Sequence, residues 1–171
     1  MLGKWGARWP ALALAGALAV ACAGAISKEG ERWRAREGGA SITDLTALAP
    51  GWLRTDEDGA LLAYRTASGG RAAWLRQCRG AAASARPEAH ALLVRLDGAH
   101  VEREGAVPIS GREGWWLVAS AIDGGARVTV KAVTRVSGDG CTDDFLLVAP
   151  YDFATLEPGF DAWWASFSAA T

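Results

Sequence analysis

The chain has 171 residues, half of them hydrophobic and 22% charged, with 18 basic against 19 acidic side chains and a formal charge of -1. That is the composition of a globular protein and not of a disordered or fibrous one. Without net positive charge there is no field to release counterions from phosphate, which excludes a strongly basic nucleic-acid binder, and the length argues against two large domains.

Residues 1–21 stand apart from the rest. Lys4 and Arg8 are the only charges before Lys28, and every residue from Ala11 to Ala21 is Ala, Leu, Gly or Val. That apolar run is 11 residues long, whereas a membrane-spanning helix needs about 20. A positive start, a short apolar core and small residues at its end predict an export signal peptide over 1–21. A buried N-terminal helix and a retained anchor are the alternatives. The run ends Leu18-Ala19-Val20-Ala21-Cys22, which resembles the lipobox of bacterial lipoproteins. There the cysteine is acylated and becomes the new N-terminus. Ordinary cleavage after Ala21 fits an A-x-A rule equally well and would release a soluble secreted or periplasmic protein, but it leaves Cys22 as a lone thiol in an oxidising compartment. Residue 23 is Ala and not Asp, so the enterobacterial sorting rule would send the lipoprotein to the outer membrane. Losing Lys4 and Arg8 with the signal takes the charge to -3 on the 150 residues that remain, enough chain for one proper core.

From Cys22 to Ser41 the charges alternate, Gly38-Gly39 forms a pair, and only Ile26 and Trp33 are large and apolar. The stretch predicts a flexible tether between lipid and domain, with a reach of roughly 25 Å. The helical spacing of Glu29, Arg32, Trp33 and Arg36 offers a short helix instead.

The domain, 42–171, alternates apolar runs with turn signals. Residues 60–67 and 71–79 predict two strands joined at Ser68-Gly69-Gly70, a Gly-containing hairpin connection. Pro87 suits the first turn of a helix, whose face carries Leu92, Leu93 and Leu96 and which ends at Asp97-Gly98. Residues 101–109 predict an edge strand, being charged and holding Pro108. In 114–123 the Trp115-Trp116 pair sends one indole to each face. Residues 127–137 alternate, with Val128, Val130, Ala132, Thr134 and Val136 on one side and Thr129, Lys131, Val133 and Arg135 on the other. That is the period of a sheet with one buried face. Residues 141–149 make the last strand, for about six in all. Phe160, Trp163, Trp164 and Phe167 then form a single helical stripe. Burying four aromatic rings removes roughly 600–800 Å² from water, an upper bound on the order of 15–20 kcal/mol. The stripe therefore docks on the sheet of its own domain or else on a membrane or partner.

The ending GCTDDFLLVAPYDFATLEPGFDAWWASF, with Gly140-Cys141 opening the last strand and a Phe-rich helix closing in Ser166-Phe167, resembles the C-terminus of PsbP/DcrB-like envelope proteins. It is closest to a group of uncharacterised bacterial lipoproteins with one Cys after an early strand and a second opening the last. Trp52, Cys78 and the Leu-rich helix agree, so the likeness spans residues 46–168. It implies a single α+β domain, an antiparallel sheet with helices on its faces, and lipoprotein character. It implies no catalytic residue and no cofactor. Where the group often has an aromatic-Asp pair, this chain has Thr142-Asp143.

Among candidates for chemistry, Cys78 and Cys141 are an even pair once Cys22 is set aside, which in an exported protein favours a disulfide. Closing a loop of 63 residues stabilises by about 4 kcal/mol in the chain-entropy model; two buried free thiols are the alternative. His90 and His100 lack partners at metal-ligand spacing and are expected at the surface. Asp139, Asp143 and Asp144 read as a solvated turn, since calcium-loop spacing is absent. Arg65, Arg71, Arg76, Arg79, Arg127 and Arg135 read as interspersed surface charges, or as a groove if the fold gathers them. No phosphate loop, nucleophile elbow or dinucleotide fingerprint follows any strand. The expected function is a non-enzymatic binding or scaffold module held to the envelope membrane through Cys22 and serving an envelope protein partner. The alternatives are an exported hydrolase and a small-ligand carrier.

Overall fold

The computed structural model describes residues 26–36, 38–78, 84–138 and 140–169. The predicted signal segment and Cys22 lie outside them. A seven-stranded antiparallel sheet runs through the domain in the order β4(Leu53–Thr55), β5(Leu62–Arg65), β6(Arg71–Cys78), β10(Cys141–Ala149), β9(Ala126–Val136), β8(Arg112–Asp123), β7(Asp97–Ile109). The turn residues set its hairpins. Gly124 and Gly125 both have positive φ (58° and 85°), which matches a two-residue connection to the twist of β8 and β9. At the β5–β6 turn the Gly70 N–H donates to Thr66 Oγ1 at 2.9 Å.

Six of these strands follow the sequence expectation; β4 is the addition, with the single large apolar residue Leu53 in three positions. It pairs along the edge with β5. The predicted helix after Pro87 is shorter than its leucine face. α2(Ala85–Ala91) stops at a cap on Leu92, and hydrogen bonds from Leu93 N to His90 O and from Leu96 N to Leu93 O carry the chain on as tight turns.

The stretch that reads as a tether in the sequence folds from Ile26 onward. β1(Ile26–Glu29), β2(Arg32–Ala35) and β3(Ser41–Thr43) form a second antiparallel sheet. Trp33, Ala35 and Ile42 turn inward and are buried, a period-2 pattern that the intervening charges obscure. Gly38 and Gly39 serve the β2–β3 turn with positive φ (69° and 58°). The Arg54 guanidinium carbon lies over the Trp33 ring, 4.1 Å from its centroid.

α3(Phe153–Ala165) packs across the sheet face that carries Trp74, Val133, Phe145 and Leu147. The aromatic stripe docks on its own domain. Trp163 meets Tyr64 edge-on at 5.4 Å and Phe145 at 6.0 Å, and Phe167, just past the helix, meets Phe145 at 5.3 Å. α3 also crosses α1(Leu45–Leu48) closely: a Cβ on Gly159 would sit 2.8 Å from that of Ala49. α2 covers the opposite face over Leu117, Ala119, Val130 and Ala132. The sheet is thus buried on both faces. The alternation in 127–137 is real, but its second side, Lys131, Val133 and Arg135, is covered by α3 and its flanks.

Asp44 ties the small sheet to this body. Its carboxylate caps α1 through Thr46 N and accepts from Thr46 Oγ1, Tyr64 Oη and Lys28 Nζ. Burial alone would raise its pKa, but the bonds from Lys28 and Thr46 outweigh it and hold the carboxyl at about 2. A depressed folded pKa stabilises above the unfolded value and is lost as pH falls through the folded one. Asp44→Asn keeps the cap, since Asn also caps helices well. It is expected to cost about 2 kcal/mol at pH 7 and less than about 0.5 kcal/mol at pH 2. Urea unfolding of both proteins checks this; equal loss at both pH values would refute it.

Candidate functional site: a buried charge row and an apolar cleft

The two faces of the sheet each carry a polar constellation. On the α3 face, antiparallel register sets Asp143 of β10 directly between Arg76 of β6 and Arg135 of β9. Arg76 Nη1 donates to both carboxylate oxygens at 2.7 and 2.9 Å, Trp74 Nε1 donates at 3.1 Å, and Arg135 Nη1 lies at 3.5 Å. The side chains are almost closed to water, 0% exposed for Asp143, 7% for Arg76 and 4% for Arg135. The expectation of a solvated turn for Asp143 and Asp144, and of surface positions for Arg76 and Arg135, is therefore corrected. Both acids belong to the central strand, and the sheet encloses them. Asp139 and Arg79 lie outside the described residues. Arg65 and Arg127 are exposed, and Arg71 pairs with Asp123.

Two positions along the same face from Arg76 and Asp143, Cys78 and Cys141 are directly opposed and joined in a disulfide, with Cα atoms 4.0 Å apart. Reduction of the exported protein is expected to slow it on a denaturing gel. Labelling of two free thiols in the unreduced protein would contradict the bridge.

On the same face, Lys131 Nζ reaches Glu157 and Asp161 of α3 at 2.7 Å each, pinning that helix to β9. Asp144, one residue on from Asp143, points through the sheet to the α2 side, where Thr134 Oγ1 donates to it at 2.6 Å. Burial pushes its pKa up to about 7, and the neighbouring acids Asp143 and Glu88 push the same way against the Thr134 bond.

The α2 face also holds a cluster around Glu104 of β7. His90 Nε2 lies 2.6 Å from Oε2, Trp115 Nε1 donates to the same oxygen at 3.0 Å, and Arg86 Nη2 donates to Oε1 at 2.6 Å. Together these partners, His90 first, hold the Glu104 carboxyl at about 2. Beside His90 an open cleft of about 440 Å³ runs between the end of α2 and the start of β7, lined by Leu93, Val94, Leu96, Gly98, Ala99 and Val101. Val94 is 82% exposed there. The cleft has apolar walls and, at one side, the His90 imidazole beside the Glu104 carboxylate. His90 is half-exposed as expected of a surface His, and exposed His100, on β7, does not line the cleft. Among the described residues no group of three or more His, Cys, Asp or Glu is placed to hold a metal, and no helix is long and apolar enough to cross a membrane.

The chain matches no protein-family model and no curated protein sequence. Solved structures share its architecture. Cyanobacterial PsbP (CyanoP) from Synechocystis superposes with a TM-score of 0.56 at 13% identity, over 93% of this chain and 99% of that one. The domain has a PsbP-like fold. LpqN of Mycobacterium tuberculosis, described as involved in cell envelope biogenesis, is similar at a TM-score of 0.57 and 16% identity, over 79% of this chain and 86% of its own. The Saccharomyces cerevisiae Ran-binding protein Mog1p is similar at 0.52 and 9% identity, over 78% and 85%. At these identities the likeness carries the fold.

Proposed function

We propose that this is a bacterial envelope lipoprotein, exported and held in a membrane by acyl chains on Cys22, whose PsbP-like domain is a binding or scaffold module. The observation that carries the reading is a matter of cysteine accounting. Of three cysteines, Cys78 and Cys141 take each other. A bridge of this kind belongs in an oxidising compartment. Cys22 remains, at the end of a short apolar run and behind small residues, where a lipobox cysteine would stand. LpqN, similar in fold, is described as acting in cell envelope biogenesis, which is in keeping with this address. On this reading a partner would meet the open α2–β7 cleft, where Val94 is 82% exposed.

Cys22→Ala decides the anchor. Wild-type protein is expected in the membrane pellet and to need detergent for release, with two or three acyl chains in the mass of its mature N-terminus. The variant is expected in the soluble extract. A variant that stays in the pellet without detergent, or an intact initiator methionine on the wild-type chain, would overturn the reading.

A further inference from the structure

We propose that the acylated protein holds its domain flush against the bilayer, with the β2–β3 turn around Gly38 facing the lipid and the α2–β7 cleft held at the far end. This rests on acylation of Cys22. Only Ala23, Gly24 and Ala25 separate Cys22 from Ile26, the first residue of β1. Four Cα–Cα steps span at most about 14 Å. A domain of this length is about 35–40 Å across, so the leash is under half its width. The part of the surface around Ile26 therefore cannot leave the headgroups.

Hydrogen bonds trace what lies at that end. Ile26 is paired with Ala35, and Ala35 N donates to Ala40 O at 2.8 Å. Ser41 exchanges bonds of 2.8 Å with Ser168, and Ala169 N donates to Ser110 Oγ at 2.9 Å in the β7–β8 turn. The β2–β3 turn, the end of the chain after α3 and the β7–β8 turn thus share one end of the molecule. Gly38, whose added Cβ would meet the Arg76 guanidinium at 2.6 Å, joins the end of β6 to the same group.

The cleft lies at the other end. Of its β7 residues, Val101 pairs with Ala119 of β8, and the adjacent His100 pairs with Ser120, close to the β8–β9 turn. From Ala99 to Ile109 β7 runs ten steps, roughly 30 Å at strand rise. A flush domain would hide the β7–β8 turn and present the cleft to whatever approaches from the aqueous side.

Position-specific quenching tests this on the full-length acylated protein in phosphatidylcholine–phosphatidylglycerol vesicles bearing nitroxide headgroups. A fluorophore is placed on Arg36→Cys, just after β2, or on Arg127→Cys, at the start of β9; both side chains are exposed. Quenching at position 36 is expected to exceed that at 127 at least twofold. A Gly/Ser insertion of about 20 residues between Gly24 and Ala25, enough to reach roughly 25 Å, is expected to abolish the difference while leaving the protein vesicle-bound. Equal quenching at both positions, or no effect of the insertion, overturns the orientation. The intact mass of the same samples separates the two readings: acylated Cys22 with no difference removes the orientation alone, and unacylated Cys22 removes both.

Discussion

Asp143→Ala is expected to cost about 3–5 kcal/mol of stability, because it takes from the buried Arg76 guanidinium the carboxylate it holds at 2.7 and 2.9 Å. For a domain of this size that lowers the melting temperature by roughly 10–15 °C. The size of the effect comes from enclosure. Arg76 and Arg135 make their contacts with Asp143 at 7% and 4% side-chain exposure, so water cannot take the place of the lost acid. The Trp74 indole N–H loses its acceptor as well. Removing all three charges is expected to behave differently. Among the described residues Arg76 Nε has no hydrogen-bond partner although it is buried, so these residues do not fully satisfy the row. The triple variant Arg76→Met, Asp143→Leu, Arg135→Met should therefore approach wild-type stability, as buried ion clusters replaced by apolar side chains often do. Chemical unfolding of both variants checks the pair of expectations. A loss below about 1 kcal/mol for the single variant would mean that solvent reaches the row.

The parts legible in the sequence are those whose signal is local. Gly-Gly pairs mark the hairpins, the period-2 pattern marks β9, and the aromatic stripe marks α3. Where sequence and structure part, the cause is shared: a charged residue type does not fix an exposed position. Lys28, Glu29, Arg32 and Arg34 hide the inward period of Trp33, Ala35 and Ile42, so a folded sheet has the composition of a tether. Asp143 and Asp144 follow a Gly-rich turn, yet they sit in the central strand. Their partners come from other strands, and Arg76 is 67 positions away. A signal for that row is nonetheless present. If Cys78 and Cys141 face each other across adjacent antiparallel strands, two steps inward from the bridge Arg76 must face Asp143. The Glu104 cluster offers no such handle. His90, Trp115 and Arg86 converge on it from a helix and a neighbouring strand whose packing only the fold determines.

Asp144→Asn is expected to flatten the pH dependence of stability and to make the protein more stable than wild type at pH 8. The folded pKa of Asp144 is about 7 against an ordinary value of 3.8. Between those values the native protein keeps a proton that the unfolded chain has released. Stability contributed by the protonated form is whole below about pH 4 and is lost as pH rises through about 7. A separation of about three units corresponds to a limit on the order of 4 kcal/mol. Among the described residues the groups acting on this carboxyl are Thr134 on β9, Glu88 on α2 and, from the other face of the strand, Asp143, and none of these three carries a positive charge. Asn keeps an oxygen for the Thr134 hydroxyl and carries no charge at any pH. The variant should therefore match wild type near pH 4 and exceed it by a few kcal/mol at pH 8. Other titrating groups contribute to both curves, and the difference between the curves isolates Asp144. Parallel curves for the two proteins from pH 4 to 8 would show that the carboxyl is already ionised beneath α2 at low pH.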